Sequence, residues 1–594
     1  MHRVPVLSRE RKSRRGRRVI NAILKPHQDY FLIVRGNRFI IKLRLPALLA
    51  GIKNHQDKMD KTLIVDSCRY QCYNTAMKNL PISIQTFRDF IKEDYIYVDK
   101  TKPIHDLFAR GGKYYFLSRP RRFGKSVLIS TLAEIFSGNK ELFKGLWIYD
   151  KIPWTQYPVI HLDLSKVTFK TPAILEKALD TRVEKIAADF NVQVDHRLFL
   201  KEKFEQLVEK ISQKQKAVIL VDEYDKPLID YIETGKIETA KKIRDVLKSF
   251  YSVIKGLDAH LRFVFITGVS KFSRVSVFSD LNNLVDITLD AKYSTLLGYT
   301  EAELQHYFSP YIIQMAEKRG ISTGNLIESI RKWYNGYSWD GENFVYNPFS
   351  ILNLFDSSNF KNFWFSTGTP TFLIKLIKNR KSEPMEFENL PVKSYTFDSY
   401  DIENLDIVAL LFQTGYLTVK KITVEDLVET YHLSYPNQEV RDSFLSHLFV
   451  EYTRKDIDFG TRLLERLRNA VKAGDIDGFI QEIKSLLASI PYRIFMGKRE
   501  AYYHSLIYLI LKLSGASVRC EDPTNLGRID AVVETGNKIY IMEFKMGSEQ
   551  EALAQIKEMK YYEKYLNSGK EIVLLGIGFD AGKRNIGNYL LGSP

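Results

Sequence analysis

The sequence predicts an α/β chain: a doubly wound parallel sheet, a mainly helical middle region and a smaller carboxy-terminal α/β domain. Three observations lead there. An apolar run enters a Gly-Lys-Ser turn and leaves it as a helical pattern, over Lys113 to Phe136. A second apolar run, Ala217 to Val221, ends in Asp222-Glu223. Two strand-like runs flank the turn Thr535-Gly536-Asn537. At roughly 100–200 residues per domain, 594 residues hold three or four domains.

Composition narrows the class. A hydrophobic share of 45% and a charged share of 27% exclude a wholly disordered or fibrous chain. Three cysteines, Cys68, Cys72 and Cys520, cannot build a disulfide framework and fit a reducing, cytoplasmic setting. The best early apolar stretch, Phe31 to Leu49, is broken by Arg35, Arg38, Lys42 and Arg44, so no membrane role is expected.

The net charge of +16 is unevenly spread. Residues 1–76 hold 17 Lys/Arg against 5 Asp/Glu, while the remaining residues carry 70 against 66. A phosphate-neutralising surface in the rest of the chain must therefore come from local arrangement. The block from Arg9 to Arg18 reads as a solvated basic appendage, with a nucleic-acid arm as the alternative. Globular patterning starts at Lys78, and Met77 is expected to be the translation start.

The run Lys113 to Ser118 reads as a buried strand. It leads into Arg119-Pro120-Arg121-Arg122-Phe123-Gly124-Lys125-Ser126 and then a helix. Strand, turn and helix in that order form a phosphate-binding loop. Gly124 and the backbone N–H groups at the helix start would cradle phosphates, Lys125 would reach the β- and γ-phosphates, and Ser126 would bind Mg²⁺. Arg119 stands where the standard pattern has its first glycine. Arg121 and Arg122 would add charge near the phosphates or form a solvated basic turn.

Ala217 to Val221 is apolar and β-branched enough for a central parallel strand. Asp222 at its end would hold Mg²⁺ through water, and Glu223 would polarise the attacking water. Phe263 to Ile266 is a third such run, with Thr267 and Ser270 as candidates to sense the terminal phosphate and Arg274 as a candidate arginine finger.

At the carboxy terminus, a two-residue turn at Gly536-Asn537 pairs residues whose numbers sum to 1073. Asp530 then faces Glu543, and Lys545 shares that face. Opposed carboxylates repel unless a cation lies between them, and oxygen ligands suit Mg²⁺ or Mn²⁺. The alternative is the polar outer face of an edge hairpin with Lys545 paired to Glu543. Glu500 and His504 lie one helical turn apart upstream; Glu500 would add a metal oxygen and His504 reads as a packing residue. Gln555 and Tyr562 would brace a following helix or touch nucleic acid.

These residues carry a family resemblance. Leu80 to Phe87, Tyr97 to Thr101, Arg119 to Ser126, Val221 to Pro227, Gly268 to Ser273 and Tyr346 to Ser350 resemble the AAA-ATPase-like family of bacterial proteins. Asp530 and Glu543-Phe544-Lys545 are similar to the motif of the PD-(D/E)XK nuclease superfamily, a restriction-endonuclease-like fold, with Glu500 as its helical acid. The resemblance covers about residues 77–594 and makes Arg119 an ordinary feature. It implies ATP binding and a nuclease fold, with turnover at either site left open.

The expected organisation is a basic extension over 1–76, a P-loop domain over 77–300, a helical lid or winged-helix-like region over 301–440 and the nuclease-like domain over 441–594. Arg380 to Asn404 reads as a polar linker. The leading expectation is an ATPase coupled to a Mg-dependent nuclease acting on DNA or RNA, with an oligomer allowed. Its rival is an ATP-dependent switch that keeps a non-cutting nuclease fold.

Overall fold

The computed structural model describes residues 77–594 except 110, 234, 272–276, 279–280, 365–372, 375, 378–383, 399–405, 491–499, 515–516 and 525. Within the first 76 residues it describes only β1 (Phe31–Arg35) and β2 (Arg38–Lys42), which pair antiparallel. The chain divides into two compact units, 1–76 and 77–594. The basic block from Arg9 to Arg18 lies outside the described residues.

The second unit opens on a five-stranded parallel sheet. Its strands are β3 (Tyr114–Ser118), β4 (Val159–Asp163), β5 (Ala217–Asp222), β6 (Leu261–Gly268) and β7 (Val285–Asp286), in the order β4-β5-β6-β3-β7. Alternation along β3 explains the two covered faces. Tyr115 and Leu117 pack toward α1 (Lys125–Phe136), whose Leu128, Leu132 and Ile135 recur at helical spacing. Tyr114 and Phe116 pack toward α2 (Pro172–Asp189), α3 (Leu200–Ile211) and α4 (Ile237–Gly256). Because β3 sits between β6 and β7, its carboxyl end opens at a reversal of strand order, where such sheets bind ligands.

The middle region is mainly helical, with short strands inserted. β8 (Asn335–Tyr337) pairs with β9 (Val345–Tyr346), and Asn347 then caps α5 (Pro348–Ser357) by accepting from the N–H groups of Phe349 and Ser350. The stretch read as a linker differs from expectation. Its segment β10 (Leu390–Lys393) is an edge strand of a three-stranded antiparallel sheet with β12 (Val428–Ser434) and β11 (Thr418–Glu425). Pro391 tolerates that edge position because only one side of the strand must pair. Between them lies α6 (Ile407–Thr414).

Four helices follow: α7 (Gln438–Thr453), α8 (Ile457–Ala473), α9 (Ile476–Ser489) and α10 (Glu500–Leu513). They precede a five-stranded mixed sheet of β13 (Ser517–Pro523), β14 (Arg528–Glu534), β15 (Lys538–Met546), β16 (Glu571–Asp580) and β17 (Asn585–Gly592), in sequence order. β15 and β16 are parallel, joined by a crossover carrying α11 (Glu549–Glu558). Gly576 on β16 lets α11 lie close, since a Cβ there would meet the backbone of Glu549 and Leu553 at 2.6 Å.

One apolar core runs from Phe123 in the phosphate-binding loop through Trp339, Phe444 and Leu506 to Phe579 on β16. Among the described residues no helix is long and apolar enough to cross a membrane.

Candidate functional site

The Gly-Lys-Ser turn follows β3 directly. Gly124 has φ +89°, a conformation glycine adopts without strain, and nothing stands within 4 Å of where its Cβ would be. The buried Lys125 ammonium donates to the carbonyl oxygens of Arg119 and Pro120, both at 3.0 Å. The Ser126 hydroxyl, at the start of α1, helps hold the Asp222 carboxyl at the end of β5 down against the effect of burial. Asp222 also accepts from the Glu223 N–H at 3.0 Å, and Glu223 has φ +51°.

Electrostatics at this end of the sheet are finely opposed. Burial raises the Asp222 and Glu223 carboxyls above their ordinary range, and the Lys125 charge pulls both back. Burial lowers Lys125, while Asp222, Glu223 and Asp225 support its charge. A cavity of about 560 Å³ lies against Lys125, Ser126 and Glu223, with Ile84, Phe349 and Trp364 on its other walls. That volume suits a nucleotide-sized ligand. Glycine with open space at the turn, a buried ammonium and a hydroxyl beside a carboxylate together fit a magnesium-bound nucleoside triphosphate.

The sequence did not single out Asp163, which the β4–β5 register sets beside Asp222. Its signal was the one used for Asp222, an apolar run ending in an acid. Thr267 and Ser270 depart from the role considered for them. Thr267 donates to the Leu117 carbonyl oxygen at 2.8 Å, and Ser270 Oγ donates to Asp225 at 2.6 Å. Both hydroxyls brace the end of the sheet. Arg274 lies outside the described residues.

Bulky residues crowd the loop, with Arg119 in the place of the first glycine, and each meets the middle region. The Arg119 guanidinium lies 3.8 Å from the Trp339 ring centroid and donates to the carbonyl oxygens of Ser118 and Thr288. The Arg121 carbonyl accepts from Trp364 Nε1 at 3.3 Å. The Arg122 guanidinium lies 3.8 Å from the Phe349 ring centroid, and Phe123 meets Tyr337 edge-on at 4.8 Å.

The carboxy-terminal hairpin has the expected register: Ala531 faces Met542 and Glu534 faces Ile539. Thr535 N–H donates to the Lys538 carbonyl at 2.8 Å and closes the turn. Beyond Ala531, the Asp530 carboxylate accepts from the Phe544 N–H at 2.8 Å, bringing the two strands' acids to one end. Glu543 is buried, accepts a hydrogen bond from Gln555 Nε2 on α11, and has Lys545 Nζ at 3.8 Å. His504 Nε2 is 3.9 Å from the Asp530 carboxylate. The pair sits on interior strands of the sheet rather than on an edge.

Gln555 also donates to the Tyr561 hydroxyl at 3.4 Å, so Tyr561 rather than Tyr562 joins this group. Helix α11 ends at Glu558, and the helical spacing that pointed to Tyr562 no longer applies there. Glu500 opens α10, but its side chain lies outside the described residues. Among the described residues no three His, Cys, Asp or Glu side chains gather as a metal cage. Asp530 and Glu543 still offer the hard oxygen donors that Mg²⁺ prefers, and this ion keeps several waters with few protein ligands. The donor set fits it.

Comparison with known proteins agrees with both halves. Residues 81–278 match the model of a family described as predicted AAA-ATPase, and residues 498–589 match that of the PD-(D/E)XK nuclease superfamily. The chain is 38% identical over 532 residues to an uncharacterized protein in the vnfD 5' region of Azotobacter chroococcum mcd 1, covering 87% of this chain and 99% of that one. The chain therefore belongs to the AAA-ATPase-like family and carries a carboxy-terminal domain of the PD-(D/E)XK nuclease superfamily.

Proposed function

We propose that this chain is a cytoplasmic ATPase coupled to a Mg-dependent nuclease acting on DNA or RNA. The nucleotide half spans 77–300, the reader of its state 301–440 and the cutting half 441–594. Gly124 and the following backbone N–H groups hold phosphates, Lys125 neutralises them, and Ser126 with Asp222 holds Mg²⁺. Glu223 orients the attacking water.

In the second site, Asp530 and Glu543, joined by Glu500, hold the divalent cation. A cation held there supplies Lewis acidity and neutralises charge on a phosphodiester. Lys545 sits beside Glu543, 3.8 Å away, where its ammonium stabilises the charge that builds on the reacting phosphate. Gln555 fixes the rotamer of Glu543. Coupling between the halves is supported by the core that joins Phe123 to Phe579.

The observation that carries the reading is the Phe544 N–H bond to Asp530, which gathers Asp530, Glu543 and Lys545 at one strand end. A cleavage assay on mixed DNA and RNA with Mg²⁺ and ATP tests it. Wild type cuts, Asp530→Ala does not, and Lys125→Ala loses ATP binding. The second reading, a nucleotide switch with a non-cutting nuclease fold, draws on the near-neutral charge from Arg441 onward, 22 Lys/Arg against 20 Asp/Glu. It gains if wild type leaves every substrate intact in every nucleotide state.

A further inference from the structure

Arg122 is an unusual residue for a phosphate-binding loop. Its backbone has φ +68°, which a side chain with a Cβ adopts at a penalty of roughly 1 kcal/mol, and which glycine would adopt freely. It is half-buried, and it lines the same cavity as Lys125 and Ser126. Burial alone pushes its guanidinium below the ordinary arginine value. Among the described residues no carboxylate pairs with it. Its neighbour is the Phe349 ring, at 3.8 Å from guanidinium carbon to ring centroid.

A cation partly removed from water needs compensation. A stack on phenylalanine returns about 0.5–2 kcal/mol and leaves the planar N–H fork free to bond. That fork matches the spacing of two phosphate oxygens, and aromatic stacking restricts the rotation that binding would otherwise have to freeze. The loop backbone bears strain, the charge has no carboxylate partner among the described residues, and the cavity wall supplies a shelf that orients it. Each feature is explained if the counter-ion arrives with the ligand.

We infer that Arg122 is a phosphate ligand of the bound nucleotide, supplied by the loop itself, and that Phe349 in the middle region is its positioning residue. The inference rests on the ATP-binding reading above and adds to it a second cationic contact beside Lys125. It also makes nucleotide binding depend on where α5 stands, because Phe349 belongs to that helix.

Titration of the full chain with Mg-ATP and Mg-ADP at several salt concentrations tests this. Arg122→Met keeps an unbranched apolar stem against Phe349 and removes the charge. It is expected to weaken ATP binding 10- to 100-fold and to flatten its salt dependence. Arg122→Lys, which restores the charge without the planar fork, should recover part of the loss. Phe349→Leu should weaken binding several-fold with the salt dependence intact, and Phe349→Tyr should behave as wild type.

If Arg122→Met binds ATP as wild type does while Lys125→Ala does not, the inference is overturned and the ATP reading stands. Equal losses in Arg122→Met and Arg122→Lys, with lowered melting temperatures in both, mean that the arginine only holds the loop, and this too overturns it. Wild type that fails to bind ATP or ADP removes the ATP reading itself.

Discussion

Trp364 donates its indole N–H to the carbonyl oxygen of Arg121, tying the phosphate-binding loop to a residue 243 positions downstream. The same tryptophan gives its backbone N–H to the Glu439 carboxylate at 2.8 Å, and its ring meets Tyr416 edge-on at 5.1 Å. Trp364→Phe keeps the ring and removes the donor, so it should cost about 1 kcal/mol. Trp364→Ala opens a cavity and should cost about 3–5 kcal/mol. Denaturant titration of both variants reads the difference. If the loop depends on this bond, Trp364→Phe also shifts the ATP affinity.

Glu439 opens α7 from a buried position, accepting from Ser350 Oγ at 2.7 Å as well as from Trp364. Burial pushes its carboxyl up to about 7, against the pull of these hydrogen bonds. The folded chain thus binds this proton more tightly than the unfolded one, whose glutamate titrates near the ordinary value of 4.5. The stabilisation is complete below that value and is lost as pH rises through about 7, by about 3 kcal/mol for this group alone. Stability measured from pH 5 to 8 should fall less steeply in Glu439→Gln. An unchanged slope would remove Glu439 as the source.

Asp225 is the anchor under the sheet end. Its buried carboxylate accepts from the N–H groups of Val269 and Ser270 and from Ser270 Oγ. Asp225→Asn turns one acceptor into a donor among three donors and should cost about 2–4 kcal/mol. Ser270→Ala, which removes a single bond, should cost about 1 kcal/mol. A melting curve separates the two. Equal losses would mean that the backbone bonds contribute little.

The parts of the fold that were legible from sequence share one property: their partners are near in the chain. The hairpin register followed from the turn at Thr535-Gly536-Asn537, because a short turn leaves the strands one way to pair. The phosphate-binding loop was legible because strand, turn and helix are consecutive. The contacts of Trp364 and Phe349 on that loop were not, since no local pattern encodes a partner more than 200 residues away. β10 escaped notice because an edge strand of four residues with a proline leaves almost no periodic signal. Asp163 was missed for a different reason. Its run ends in an acid as that of Asp222 does, but only the pairing of β4 with β5 sets that acid beside the site.

At the hairpin, divalent ions should act on stability as well as on cutting. An ion that binds only the folded chain stabilises it by mass action. Mg²⁺ or Mn²⁺ added to metal-stripped protein should therefore raise the melting temperature. Asp530→Asn keeps an acceptor for the Phe544 N–H, so its fold should persist while the metal-induced rise disappears. Cutting should fall at least 100-fold in the same variant, which is about 3 kcal/mol of lost transition-state stabilisation. A full metal-induced rise in Asp530→Asn would place the ion elsewhere.

Gly415 provides the most direct handle on the loop. It ends α6 with φ +92°, and a Cβ built there would meet Pro120 carbons at 2.8 Å and the Trp364 ring at 3.4 Å. Gly415→Ala therefore strains the left-handed backbone by about 1 kcal/mol and presses on the loop, adding about 1–3 kcal/mol of overpacking. Pro120 has little freedom to yield, because its carbonyl accepts from Lys125 at 3.0 Å. The displacement should reach Lys125 and weaken ATP binding along with stability. Comparison with Gly320→Ala makes the result specific. Gly320 also ends a helix at positive φ, +64°, but nothing stands within 4 Å of its would-be Cβ. That variant should lose only the backbone share, and its ATP affinity should match wild type. If both variants bind ATP equally well, α6 does not set the loop's position.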